Sequence, residues 1–202
     1  MKSVSSVDAF FIRELNLEPD GAADTFPLNL ETLRVLGKWA VECAERALPV
    51  FEKHAGWDSR PHAAIEGIRV FADDGRRTAQ LRSLALAALA AAREAGVPAA
   101  AAAARAAGLA ASSAYTHPLR NAEQTKHILG PAAYAALALE LDNANDPRIG
   151  DEMVRWAIAG APADVRDLLR QMPARQVKKS RLEQFFAKLD AGIRGQSLPQ
   201  DG

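Results

Sequence analysis

Between Tyr115 and Gly130 the chain reads "YTHPLRNAEQTKHILG", which sets His117 and His127 ten residues apart among hydroxyls, amides and charges. Imidazoles in such company could hold a metal ion or move a proton. The spacing argues against the first use. If Pro118 to Leu129 is one straight helix, the two rings lie about 15 Å apart along its axis. A zinc ion sits within roughly 2.1 Å of each ligating nitrogen, so one helix cannot bring both to it. Further ligands would have to come from His54, His62 or Glu140, and the four histidines show no ligand spacing. Neither a metal nor a cofactor is expected. In the same helical reading His117 or Thr116 caps the helix. Arg120, Gln124 and His127, spaced by four and three, then share one polar side with it. Such a side is a solvated face or a surface that grips a partner, rather than a catalytic centre.

Trp57, in "HAGWDSRPHAAI", is the second candidate. Tryptophan is enriched among interface anchors. The bland reading, which the sequence favours, makes it a lid over one end of the fold, with Asp58 pairing with Arg60 or capping the next helix. Glu140 stands among apolar residues and, if buried, needs an arginine or hydroxyl partner. Arg175, Lys178, Lys179 and Arg181 form the one basic run. Such runs are usually solvated, and a phosphate or acidic-partner site is the sharper alternative. No phosphate-cradling loop, GxGxxG, HExxH, calcium loop or nucleophile elbow occurs.

The elements that must position these residues are helical. Asn29 can cap a helix carrying Leu33, Leu36, Ala40 and Ala44 at spacings of three and four, and Pro49 should end or kink it. Pro61 opens a second helix that "DDG" at 73–75 stops, and Thr78 to Ala95 makes a third that ends at Gly96. Pro98 opens a fourth, with six consecutive alanines from Ala99 to Ala104. Alanine is the best helix former, so this run reads as helix and not as disorder. Pro118 opens the fifth, which Gly130 and Pro131 bend or break. A centrally buried segment, 132–141, follows, then helices over 147–159, 162–172 and 179–193. The expectation is an all-α single domain, a bundle or array of about eight helices. Residues 1–28 form an N-terminal extension with a possible short helix capped by Ser5, residues 29–193 the helical domain, and residues 194–202 a loose tail.

Composition narrows the function classes. With 202 residues, 49% of them hydrophobic and only 6% aromatic, the core must be large and aliphatic. Twenty-five basic residues balance twenty-five acidic ones, so no field is available to draw nucleic acid or an anionic membrane. Arg93, Glu94 and Arg105 interrupt the alanine-rich middle, leaving no membrane span. The first residues lack the apolar stretch of a signal peptide, and the lone Cys43 excludes an internal disulfide. A cytoplasmic location is expected.

Four segments carry a resemblance: "KWAVECAERALPVFE" (38–52), "DSRPHAAIE" (58–66), "ARAAGLAASSAYTHPL" (104–119) and "KHILGPAAYAALALEL" (126–141). Together they resemble a family of all-helical bacterial immunity proteins, number five, of polymorphic toxin systems, whose members are often mislabelled as an exonuclease subunit. "KKSRLEQFFAKLDAGIR" resembles an extension seen in some members. The resemblance implies a protein without catalytic residues that binds and neutralises a toxin domain. Many members carry a more compact, His-rich version of 112–130, from which this chain departs. The partner-binding candidates are therefore Trp57, His117, Arg120, Gln124 and His127. A helical adaptor with another protein partner is the alternative, and an enzyme or ligand-binding protein using His117, His127 and Glu140 is a third.

Overall fold

The computed structural model describes residues 24–176 and 179–195. The expectations for Ser5, Lys178 and the tail from 196 lie outside them. Among the described residues there are nine α-helices and no strand. Local signals set most boundaries. Helix α1 (Leu30–Glu45) starts where Asn29 Oδ1 accepts the Thr32 amide at 2.8 Å. Pro49 enters within the first turn of α2 (Leu48–Ala55), so the chain turns there. Helix α3 (Arg60–Asp74) ends on Gly75 in the left-handed conformation, φ 74°, where a side chain would be strained. Thr78 caps α4 (Ala79–Glu94) through a 3.1 Å bond from the Leu81 amide. Helices α5 (Pro98–Ser112), α6 (Thr125–Asp142), α7 (Pro147–Ala159), α8 (Ala163–Arg170) and α9 (Arg181–Arg194) complete the domain.

Helices α5 and α6 form the centre. Alanine occupies nearly every buried position of α5, and its small side chain lets α1 to α4 and α6 approach it from several sides. Gly108 carries this furthest, since an added Cβ would stand 2.8 Å from Leu89 Cγ and 3.2 Å from the Ala85 carbonyl oxygen. Around this aliphatic middle lie Leu33, Leu36, Trp39, Ile65, Ile68, Phe71, Ile128 and Leu129, all buried.

Two expectations for the 115–130 stretch fail here. Pro118 opens no helix. Residues 116–121 run extended against the start of the described chain, with Thr25 and Leu119 bridged, the Phe26 amide donating to Pro118 at 3.1 Å and the Arg120 amide donating to Asp24 at 2.9 Å. A short 3-10 turn, Ala122–Gln124, follows. Nor do Gly130 and Pro131 break the next helix, because α6 runs through both. Proline costs one helical hydrogen bond there. The surrounding core offsets it: α6 is buried on almost every side, and at Gly130 Leu109 comes within 2.7 Å of where a Cβ would sit.

The basic run also turns inward in part. Arg175 donates to Thr125 Oγ1 and Glu183, and its guanidinium is nearly covered. Arg181 holds both oxygens of the buried Glu140 from 2.8 to 3.0 Å, the arginine partner that burial of Glu140 called for. Among these four residues Lys179 is exposed. No described helix is long and apolar enough to cross a membrane.

Candidate partner-binding surface

The five predicted residues do not meet at one surface. Helix α5 spans 15 residues, about 22 Å, and separates them. His117 and Arg120 lie beyond its C-terminal end, whereas Trp57 lies by its N-terminal end beside Val97 and Ala100. Trp57 is therefore no neighbour of the 115–130 stretch.

At the first end the shared polar side dissolves. Gln124 is 1% exposed and His127 is 5% exposed, so both belong to the interior. No helical period runs from 117 to 127, because 116–121 is not helical and 122–124 is a 3-10 turn before α6, and Gln124 and His127 face inward. Gln124 Oε1 has no hydrogen-bond partner among the described residues. Arg120 is exposed but employed. Its Nη1 donates to the Gln171 carbonyl at 2.9 Å, its Nε to Asp24 at 3.2 Å, and its guanidinium lies over Phe26 at 5.6 Å. That clasp fixes the buried Phe26. His117 is exposed, and partial desolvation, then the charges of Arg77 and Arg82, hold its imidazole below the ordinary range. An open groove of about 380 Å³ nearby is lined by Phe26, Leu28, Leu168, Asp164 and Asp167.

At the opposite end Trp57 is 86% exposed, so it is not the lid that its apolar bulk suggested. It stands on the α2–α3 connection beside a slot of about 170 Å³. Phe51, Ala55, Ala91 and Val97 supply apolar walls, with Asp58, Arg60, Glu94 and His54 at its edge. Of the two roles open to it, Asp58 takes the pairing with Arg60, while the N-cap position of α3 falls to Ser59, which makes no side-chain cap bond. Asp58 accepts the Arg60 amide at 3.0 Å and grips the Arg60 guanidinium, Nη2 at 2.7 Å. Arg60 reaches on to Glu94 at 2.5 Å, tying the α2–α3 connection to the end of α4. Hydrogen bonding to Arg60 holds the Asp58 and Glu94 carboxyls below their ordinary range. Asp142 is held low as well, by His54 at 2.9 Å and Lys53 at 3.0 Å. Ligand pockets usually enclose about 300–1,000 Å³. The slot is smaller than that and suits one side chain of a partner. Sequence reasoning missed Glu94 and Val97, which reach this corner only because α5 packs against α2 and α4 packs against α5.

The enzyme constellation does not assemble. His127 and Glu140 are thirteen residues apart on α6, about 20 Å. His117 precedes that helix and is exposed, while Glu140 is already held by Arg181. No three His, Cys, Asp or Glu side chains group as a metal site among the described residues.

The profile of the family described as "Imm-5 like putative immunity protein" matches residues 27–164 of the 202. The chain belongs to that family. Trp57, Asp58, Arg60, Glu94 and Val97 all fall inside the matched segment, whereas α9 lies beyond it. No curated protein and no solved structure matches the chain.

Proposed function

We propose that this chain is a non-enzymatic immunity protein that binds and neutralises a toxin domain of a polymorphic toxin system in the bacterial cytoplasm. The Trp57 corner is its principal contact surface. Family membership supports the class of function. The observation that carries the choice of surface is Trp57 itself, a large apolar ring exposed beside an apolar slot and framed by an ordered ionic rim. Interface hot spots have this composition: an aromatic anchor, an apolar pocket and charged groups that position the partner. Arg120 and His117 become a secondary contact, since the clasp on Asp24 and Gln171 already engages Arg120.

The test is co-expression with any toxin-like gene found beside this one, scored by cell growth and by co-purification of the two products. The parent protein should restore growth. Trp57→Ala should fold normally and lose at least about thirtyfold in affinity, as expected for an anchor worth 2 kcal/mol or more. Full protection by Trp57→Ala would move the interface elsewhere. No protection by the parent would refute the immunity reading and favour an adaptor with another protein partner.

A further inference from the structure

The charges around Trp57 do not cancel. Asp58 neutralises Arg60, taking its Nε at 2.9 and 3.1 Å and its Nη2 at 2.7 Å. Asp142 likewise offsets Lys53. Arg93, next to Glu94 in the chain, adds a positive charge that acts on Glu94, and exposed Glu52 adds a negative one on α2. Helix ends add little, because the carbonyl ends of α2 and α4 and the amide ends of α3 and α5 meet here in equal number. Lys53, Arg60 and Arg93 thus face four carboxylates, one more than they balance, and Glu94, paired on one side with Arg60 but 63% exposed, is the carboxylate that borders the same slot as Trp57.

The three tryptophans are differently placed. Trp39 is buried and donates to the Ala157 carbonyl at 3.2 Å. Trp156 carries the Arg46 guanidinium 4.4 Å from its ring centroid. Over Trp57, among the described residues, no cation of this chain is stacked, although its face is open and the exposed Glu94 carboxylate borders the same slot. An aromatic face and a carboxylate attract the same kind of group.

We propose that this corner receives one arginine or lysine side chain of a protein partner. Its cation stacks on the Trp57 indole and pairs with Glu94, and its aliphatic stem fills the slot between Phe51, Ala55, Ala91 and Val97. The partner's contacting surface is thus basic at its centre. This inference rests on the corner being the contact surface, and it adds the chemistry of what is contacted.

The test needs no toxin. Indole N–H resonances of the ¹⁵N-labelled protein, with that of Trp57 assigned through Trp57→Phe, are followed during titration with N-acetyl-arginine amide. N-acetyl-citrulline amide, of nearly the same shape but uncharged, is the control. The Trp57 resonance should shift saturably with the arginine compound, with the Trp39 and Trp156 resonances still. Citrulline should bind at least about threefold more weakly, the ratio of an exposed cation–π contact. Glu94→Gln should weaken arginine binding by a similar factor. Equal responses to both compounds, or no saturable shift with arginine up to its solubility, would overturn the proposal. The growth assay can fail while this titration succeeds, and the reverse, so the two readings fall separately.

Discussion

Arg181→Met tests what fastens the last helix to the domain. Glu140 is 8% exposed at its side chain, and its three hydrogen bonds all come from Arg181, Nε to each oxygen at 3.0 Å and Nη2 to Oε2 at 2.8 Å. Methionine keeps much of the stem that packs beside Phe185, whose ring lies 4.3 Å from the guanidinium, but strands the carboxylate. Removing one partner of a buried pair typically costs about 3–5 kcal/mol. Arg181 is 26% exposed, which admits some water to the site, so about 2–3 kcal/mol is the expected loss here. For a chain of this size each kcal/mol moves the midpoint by roughly 2–4 °C, giving a fall of about 4–12 °C.

Glu140→Leu combined with Arg181→Met removes both charges, and an apolar pair in their place should return stability to within about 1 kcal/mol of the parent. Asp151, which also touches Arg181 at 3.1 Å, keeps Lys188 at 3.3 Å in either variant. Thermal and urea unfolding of parent, single and double variants supply the cycle. A single variant that melts within a degree or two of the parent would refute the reasoning. So would a double variant as unstable as the single one. Either result would mean that water already reaches Glu140 and that its burial does not clamp α9 to α6.

Gly108→Ala should destabilise by about 1–2 kcal/mol in urea unfolding, although alanine is about 1 kcal/mol better than glycine inside a helix. The added Cβ would meet Leu89 Cγ at 2.8 Å and a backbone oxygen at 3.2 Å, so overpacking outweighs propensity; a gain in stability would show that α4 and α5 can separate freely. Gln124→Met should leave melting unchanged or raise it, because it removes a buried amide oxygen that has no partner among the described residues; a large loss would show that the amide is held in place by bonds beyond them, such as ordered water.

Where sequence and structure agree, the signal is local. Asn29, Thr78 and Asp146 cap helices because each side-chain oxygen reaches an amide two or three residues on, which the sequence states outright. Where they part, a distant contact has overruled a local rule. Pro118 reads as a helix start, yet the bridge of Thr25 to Leu119, with the Phe26 amide donating to Pro118 and the Arg120 amide to Asp24, holds the segment out of a helix. Pro131 reads as a break, yet the all-round burial of α6 outweighs one lost hydrogen bond. Once that segment is not a helix, spacings of three and four no longer say which residues share a face, and Gln124 and His127 turn inward. Trp57 departs in the other direction, exposed although burial is the usual fate of so large an apolar ring. Its partner in the corner, Glu94, arrives through an ion pair to Arg60 across 34 residues, a separation no motif encodes.

The placement of arginine ties the fold to the proposed surface. The chain has few aromatic rings, and among the described residues its own cations lie over six of them. Arg46 lies over Trp156, Arg82 over Tyr115, Arg105 over Tyr134, Arg120 over Phe26, Arg175 over Phe186 and Arg181 over Phe185, all between 4.3 and 5.6 Å from the ring centroid. Such an arginine covers apolar surface with its stem and keeps its charge toward water, a carbonyl or, as Arg120, Arg175 and Arg181 do, a carboxylate. Trp57 is more exposed than any of these rings. Arg60, the cation nearest along the chain, is held instead by Asp58 and Glu94. An exposed indole costs solvation that its own chain could have relieved in the same way. Holding Arg60 aside keeps the face open for a cation from another molecule, and leaves Glu94 where that cation would need it.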